Sequence, residues 1–319
     1  EGSNGLYTEH LLREIRVPEA KVEEVFKRVR LGVRLKSNGA QIPWESTSLE
    51  EDFWFQPPER LRALSDEEKL RAFREELSQW EKIRGSRNPG PFEAYLRRYP
   101  SGRFSELAQL KLDRALARQG EQKIAIVSSE DNPFSKGTAA ANTAYRVGDT
   151  YSYRITDPRT GAEQPSRTAT VERITEDEVV FSNGLVTDLL GNTLRASDGR
   201  RSSPRQQFPT EYAVGRQWHS NFSSTTRAGD DEGITEQDAK IVAREKITVP
   251  AGTFNTFRIE GGGTATIEGI PRTAERRFWI SPDDVRQVIA QEEVRRVASG
   301  RGQFLGRADR LELISFRQA

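Results

Sequence analysis

Ile241–Val249 (IVAREKITV), Pro250-Ala251-Gly252-Thr253 and Phe254–Glu260 (FNTFRIE) form the stretch whose reading decides the fold of most of this chain. Two runs rich in β-branched and aromatic residues flank a short Pro/Gly turn, the pattern of two antiparallel strands. Gly252 supplies the positive φ that a type II turn needs. The same pattern extends in both directions, to Tyr151–Thr156, Thr168–Ile174, Val179–Ser182, Arg276–Ile280, Val285–Val294 and Leu311–Phe316. Short Asp-Pro, Ser-Asn-Gly, Gly-Gly-Gly and Ser-Pro-Asp turns separate these runs, so the sheet is expected to be a largely antiparallel meander. A single layer of long strands must bury one face, and an open barrel or half-barrel does so without exposed edges. Phe181, Phe208, Trp218, Phe222, Phe254, Phe257, Phe278, Trp279 and Phe316 exceed what one sheet face needs. The expectation is that some of them form the core. The rest would line a concave apolar face, rimmed by charged residues such as Arg276 and Arg277.

Upstream of this region the period changes to helical. Residues 65–118 open with Ser65 and Glu68 in a capping-box spacing, and Leu70, Phe73, Leu77 and Trp80 continue as one stripe. Asn88-Pro89-Gly90-Pro91 breaks the helix. Phe92, Tyr95 and Leu96 mark a second one, and Phe104, Leu107, Ala108 and Leu112 a third. The unit resembles one tetratricopeptide-like hairpin; as a lone copy it reads as a spacer or docking element. In residues 1–57, Thr8 is expected to cap a helix burying Leu11, Leu12 and Ile15. A second helix carries Val22, Val25, Phe26, Val29 and Val33 on one stripe, with Glu23, Glu24, Lys27, Arg28 and Arg30 outside. Gln41–Glu45 and then Asp52–Phe55 follow, the latter short and apolar enough for a buried strand. Residues 119–144 read as a linker, the stretch from Ser128 having turn-formers, small residues and no period.

The chain has 319 residues, with 49 basic and 48 acidic side chains for a net charge of +1. That balance supplies no long-range field for a polyanion and argues against a nucleic-acid binder. No apolar run is long enough to span a membrane as a helix. The absence of cysteine excludes disulfides, zinc–thiolate sites and a cysteine nucleophile within this sequence. Only His10 and His219 represent histidine, which excludes a histidine-rich metal site. Methionine is absent, so the sequence is expected to be a piece of a longer chain, and a signal peptide cannot be judged from it.

No motif of independent chemistry stands out, and no catalytic, cofactor-binding or metal-binding residue is assigned, nor any cofactor. Gly261-Gly262-Gly263 lies between strand-like runs and reads as a hairpin turn or bulge. Gly229-Asp230-Asp231-Glu232-Gly233 lacks the alternating spacing of a calcium loop and reads as a solvated loop tip. His219 lies beside Trp218 and a Ser/Thr-rich run, yet no orienting acid is evident, and it reads as a surface histidine. His10 reads as an ordinary polar residue in the first turn of its helix.

Asn4-Gly5-Leu6-Tyr7-Thr8, Leu11-Leu12, Val25–Arg30, Gln41–Ser46 and Leu49–Phe55, in that order and spacing, resemble the C-terminal part of bacterial caspase-like cysteine peptidases. The resemblance implies a three-layer α/β fold in which residues 8–16 and 21–36 are the last two helices and Asp52–Phe55 the final strand. It also implies a His–Cys dyad in an upstream segment, so the chain carries no catalytic residue itself and would support that segment and its peptide or protein substrate. The expected architecture is therefore multidomain. A C-terminal fragment of a caspase-like α/β domain (1–57) is followed by a helical hairpin (65–118), a linker (119–144) and an all-β antiparallel domain (145–319). The alternative is a non-catalytic binding module whose β-domain holds an apolar ligand, peptide or protein partner. The resemblance further implies a periplasmic or secreted location.

Overall fold

A computed structural model describes residues 5–43, 53–58, 66–121, 137–225, 231–267, 270–299 and 302–319. The chain divides into two compact units, Glu1–Ser128 and Ser129–Ala319.

The first unit is helical among its described residues: α1 (Leu6–Glu14), α2 (Val22–Lys36), α3 (Asp66–Ile83), α4 (Pro89–Arg98) and α5 (Ser105–Arg118). The α2 stripe is buried as its period demands, with Val25, Val29 and Val33 at most 1% exposed. What covers it is Leu6, Leu11, Ile15 and Val17 from α1 and the turn after it. No parallel sheet is involved. The expected strand at residues 52–55 is absent: Asp52 lies outside the described residues, and Trp54 makes one isolated antiparallel bridge to Lys21. Phe53 and Phe55 stay exposed at 47% and 43%, their rings meeting edge to face with 5.5 Å between centroids. The caspase-like reading fails on this geometry, because its final strand would have to be buried in a sheet.

Smaller expectations also change here. Gly5, not Thr8, is the N-cap of α1, so Leu12 turns outward at 41% exposure. His10 is buried, because Gly32 on α2 leaves room for the ring; a Cβ at Gly32 would stand 2.3 Å from His10 Nδ1. Burial and nearby Arg13 pull the imidazole pKa below its usual value. Ser65 of the expected capping box lies outside the described residues. Asn88 caps α4 by accepting the Gly90 N–H at 3.0 Å. Trp80, Phe92, Tyr95, Leu96, Phe104, Ala108, Leu112 and Leu31 form one core. Arg34 crosses from α2 to Asp113 (2.6 Å) and Glu121 (2.6 and 2.9 Å), a buried cation fully met by carboxylates.

The second unit contains an antiparallel sheet of 11 strands in the order β6-β5-β4-β3-β2-β13-β12-β11-β10-β9-β8. The strands are β2 (Thr150–Thr156), β3 (Glu163–Ile174), β4 (Glu178–Phe181), β5 (Val186–Asp188), β6 (Thr193–Arg195), β8 (Gln217–Thr225), β9 (Asp231–Val249), β10 (Gly252–Ile267), β11 (Ile270–Ile280), β12 (Ala290–Ser299) and β13 (Gly302–Arg317). β1 (Thr138–Ala140), within the expected linker, pairs separately with β7 (Glu211–Ala213). Every neighbour in the large sheet is a neighbour in sequence except β13 against β2, where the last strand returns to the first. The two edges are thus β6 and β8. The ladder does not close between them, but the connecting segment touches both: Ser202 N–H donates to Leu194 O, Ser203 N–H to Ser223 O, and Thr225 N–H to Arg201 O. The result is an open barrel stitched at one seam.

Gly261–Gly263, expected as a turn, lie inside β10 and pair with β9 and β11 along their whole length. A Cβ at Gly261 or Gly263 would stand 2.8 or 2.9 Å from the backbone oxygen of Asp238 or Glu236. Close approach of neighbouring backbones, not a reversal, is what requires glycine there. Gly252 takes a φ of 139° and closes the β9–β10 hairpin. Val285 and Ile289 are buried but precede β12 instead of belonging to it.

Candidate functional site

Alternation along the long strands sends one set of side chains outward and the other into the barrel. The outward set is a continuous row of opposite charges. Glu245 on β9 meets Arg258 on β10 (3.3 Å), which meets Glu260 (3.0 Å), and Arg277 on β11 links Glu260 to Glu292 on β12. On β13, Arg310 continues from Glu292 to Glu312 (2.9 Å), and Arg154 on β2 reaches Glu312 (2.7 Å) and Glu163 on β3. Trp279 also faces outward, its Nε1–H donating to Glu245 at 2.8 Å.

The inward set grades from apolar to charged. At one end Phe257, Ile259, Phe278, Ile280 and Ile241 pack with Phe208 and Tyr212, brought in by the β6–β8 connection. Phe208 and Phe278 meet edge to face at 5.3 Å. One pleat further along, Gly261, Arg276 and Glu293 stand side by side, and the next level holds Gly263, Ala274 and Arg295. The small residues leave space. A cavity of about 950 Å³ opens there, lined among others by Gly263, Ala265, Ala274, Gly306, Phe208, Phe222 and Leu311. Its charged lining includes Arg205, Arg276, Arg295 and Glu293.

Glu293 is shared: Arg276 Nε donates to it at 2.6 Å and Arg295 Nη2 approaches at 2.7 Å. Burial works against the Glu293 charge, yet Arg276 and Arg295 hold its carboxyl below the usual range. Arg276 also donates to Gln237 Oε1 at 2.9 Å. Arg205 has no such carboxylate. Its guanidinium lies 4.9 Å from the centroid of the Phe222 ring. Burial, and then the neighbouring Arg276, lower its pKa to about 9, which leaves it charged at neutral pH.

Two flanking anchors hold Arg205. On one side Ser203 Oγ accepts the Ser223 N–H at 3.0 Å. On the other, Asn192 Oδ1 accepts the N–H groups of Gln207 (2.7 Å) and Phe208 (2.8 Å). Asn192 is itself fixed by Asp188, whose Oδ2 accepts its Nδ2–H at 2.8 Å and whose Oδ1 accepts the Leu190 and Asn192 N–H groups. Burial pushes the Asp188 carboxyl up to about 6.

Of the residues singled out by sequence, Arg276 lies within the lumen instead of on its rim, and Arg277 is on the outer surface. The cavity wall is less apolar than expected: Phe208 and Phe222 line it, while Phe254 and Phe316 pack on each other elsewhere, 6.1 Å apart. His219 is exposed on β8, its Nδ1 2.7 Å from Asp238 Oδ1 in the registered position on β9. Gly229 and Asp230 lie outside the described residues, and Asp231–Gly233 open β9. Arg205 sits in an aperiodic Ser-Pro-Arg-Gln-Gln stretch that gives no sequence signal.

The fold and site define an open antiparallel β-barrel with a charged lumen. No family model and no curated protein matches the chain. Solved structures similar to it include a protein described as exported, with a YmcC-like fold, from Bacteroides fragilis: 12% identity, 56% of this chain, 100% of that chain, TM-score 0.33. A second, described as a lipoprotein, is from Parabacteroides distasonis: 11% identity, 56% of this chain, 100% of that chain, TM-score 0.35. A third is the protein described as lipoprotein YmcC from Escherichia coli: 12% identity, 52% of this chain, 84% of that chain, TM-score 0.33. None of the three is described as a peptidase, and the reading of this chain as the small-chain portion of a caspase-like endopeptidase is withdrawn. No helix among the described residues is long and apolar enough to cross a membrane.

Proposed function

We propose that the second unit is a non-catalytic binding module that takes a ligand with an apolar body into its lumen. The observation that carries this reading is the cavity of about 950 Å³, at the upper end of the ~300–1,000 Å³ range of ligand sites. Small residues line it: Ala274 and Ala265 occupy inward positions where larger side chains would fill the barrel. Phe208, Phe222 and Leu311 supply the apolar contact. A periplasmic or secreted location stays within the proposal, to be tested by cell fractionation.

The test uses the full 319-residue chain and the neutral probe N-phenyl-1-naphthylamine, whose fluorescence rises in apolar surroundings. Saturable binding is expected, and Ala274→Trp, which fills the lumen, is expected to abolish it in a protein that still unfolds cooperatively. No binding by the wild type, or equal binding by Ala274→Trp, overturns the reading.

A further inference from the structure

Among the described residues, the lumen holds more positive charge than its carboxylates answer. Arg276 and Arg295 divide Glu293 between them. Arg307 is matched by Asp309. Among the described residues, none hydrogen-bonds to or ion-pairs with the Arg205 guanidinium, and its Nε and that of Arg295 are both buried without an acceptor. A buried cation without a counter-charge is costly, and proteins ordinarily supply one. On the outer surface of the same sheet every arginine in the row faces a glutamate, even where its Nε also lacks an acceptor, as in Arg154 and Arg258; what sets Arg205 apart is the missing carboxylate.

Arg205 is also held in place. Its neighbours on both sides are pinned by Ser203 and by the Asp188–Asn192 pair, and its head rests on Phe222. A guanidinium positioned this way presents a planar fork of donors, the geometry that carboxylates and phosphates accept. Apolar Phe222, Phe208 and Leu311 share the same cavity, so an anionic group on Arg205 leaves the rest of its molecule against them.

Extending the binding-module reading on which it rests, we propose that Arg205, assisted by the Arg295 Nε–H, receives one anionic group, a carboxylate or a phosphate, on a ligand whose remaining body is apolar. The ligand class is therefore an amphipathic molecule with one anionic head group, and the anion completes the charge balance that Glu293 begins.

The experiment compares cis-parinaric acid with its methyl ester on the full chain, by fluorescence titration at neutral pH. The two probes share the same polyene chain and differ in the head group, an anionic carboxylate against a neutral methyl ester. The acid is expected to bind the wild type about tenfold more tightly or better. Arg205→Gln is expected to remove that preference, and Arg205→Lys to restore part of it. Dodecanoate and dodecyl phosphate, used as competitors, distinguish the two anions; displacement by either supports the proposal and by neither overturns it. Equal wild-type affinity for acid and ester overturns the anion site but leaves the binding module standing, and needs no variant to fold. Acid preference that survives in Arg205→Gln overturns the role of Arg205. Failure of both probes and of N-phenyl-1-naphthylamine overturns the underlying reading instead.

Discussion

The two faces of the large sheet are made from the same strands and nearly the same residue types, yet they treat charge differently. On the outer face Arg258, Arg277, Arg310 and Arg154 alternate with glutamates across seven strands, each cation shared between two anions. On the inner face Arg205, Arg276 and Arg295 gather around the single carboxylate of Glu293. Water screens the first arrangement, so its pairs contribute little individually and serve mainly to set register. In the second, Arg276 and Glu293 are 15% and 11% exposed, and an imbalance there is felt strongly, while Arg295 reaches water at its outer end. The near-zero net charge of the chain conceals this division.

Removing the lumen's carboxylate breaks the comparison most severely. Glu293→Gln leaves Arg276 and Arg295 facing each other without the carboxylate they share. A loss of about 3–5 kcal/mol in unfolding free energy is expected, measured by urea denaturation. A loss below about 1 kcal/mol would show that the lumen behaves like the outer surface.

Asp188 sharpens the comparison through pH. Its folded pKa of about 6 lies above the ordinary value of 3.8 because it is buried. Between these values the folded state holds a proton that the unfolded state has released. The contribution of Asp188 to stability is therefore full below about pH 4 and declines as pH rises through about 6. In Asp188→Asn that decline should vanish. At pH 7 the same variant is expected to lose about 1–3 kcal/mol even though it removes a buried charge. The new amide nitrogen would face Asn192 Nδ2–H, and Asn192 cannot turn over because its Oδ1 serves Gln207 and Phe208. Thermal denaturation of both proteins from pH 4 to 8 measures both effects.

Gly261 probes the backbone that carries both faces. Gly261→Ala places a methyl 2.8 Å from Asp238 O, which forces β9 and β10 apart at a cost of about 1–3 kcal/mol. Arg277→Gln, which interrupts the outer row at a position 55% exposed, is expected to change stability by no more than about 0.5 kcal/mol. Its effect should shrink further in high salt. Chemical denaturation of each variant beside the wild type gives both numbers.

Much of the β-unit was legible because its signals are local. Period-two alternation marks Tyr151, Tyr153 and Ile155 as one face of β2, and a Pro/Gly turn with Gly252 marks the β9–β10 hairpin. The same alternation runs through Ala274, Arg276, Phe278 and Ile280, and it is the signal that separates Arg276 from Arg277, although both were expected on the rim. The α2 stripe was legible for the same reason, with a period of 3.6 in place of 2.

What covers each buried face was not local, and there the sequence misled. Val25, Val29 and Val33 require an apolar partner, but a stripe does not say whether a sheet or α1 supplies it. The run Phe53-Trp54-Phe55 has strand composition, yet among the described residues it makes an isolated bridge to Lys21 and no ladder. Gly261–Gly263 read as a turn because glycine favours reversals, whereas two neighbouring backbones crowd them inside β10. Sequence alone determined the strand-rich unit, the helical unit and the pairing chemistry available to 49 basic and 48 acidic side chains. Tertiary structure alone decided which arginines meet glutamates. That choice depends on strand order and on a loop that carries Arg205 past the β6–β8 seam into the barrel, and neither leaves a period in the chain.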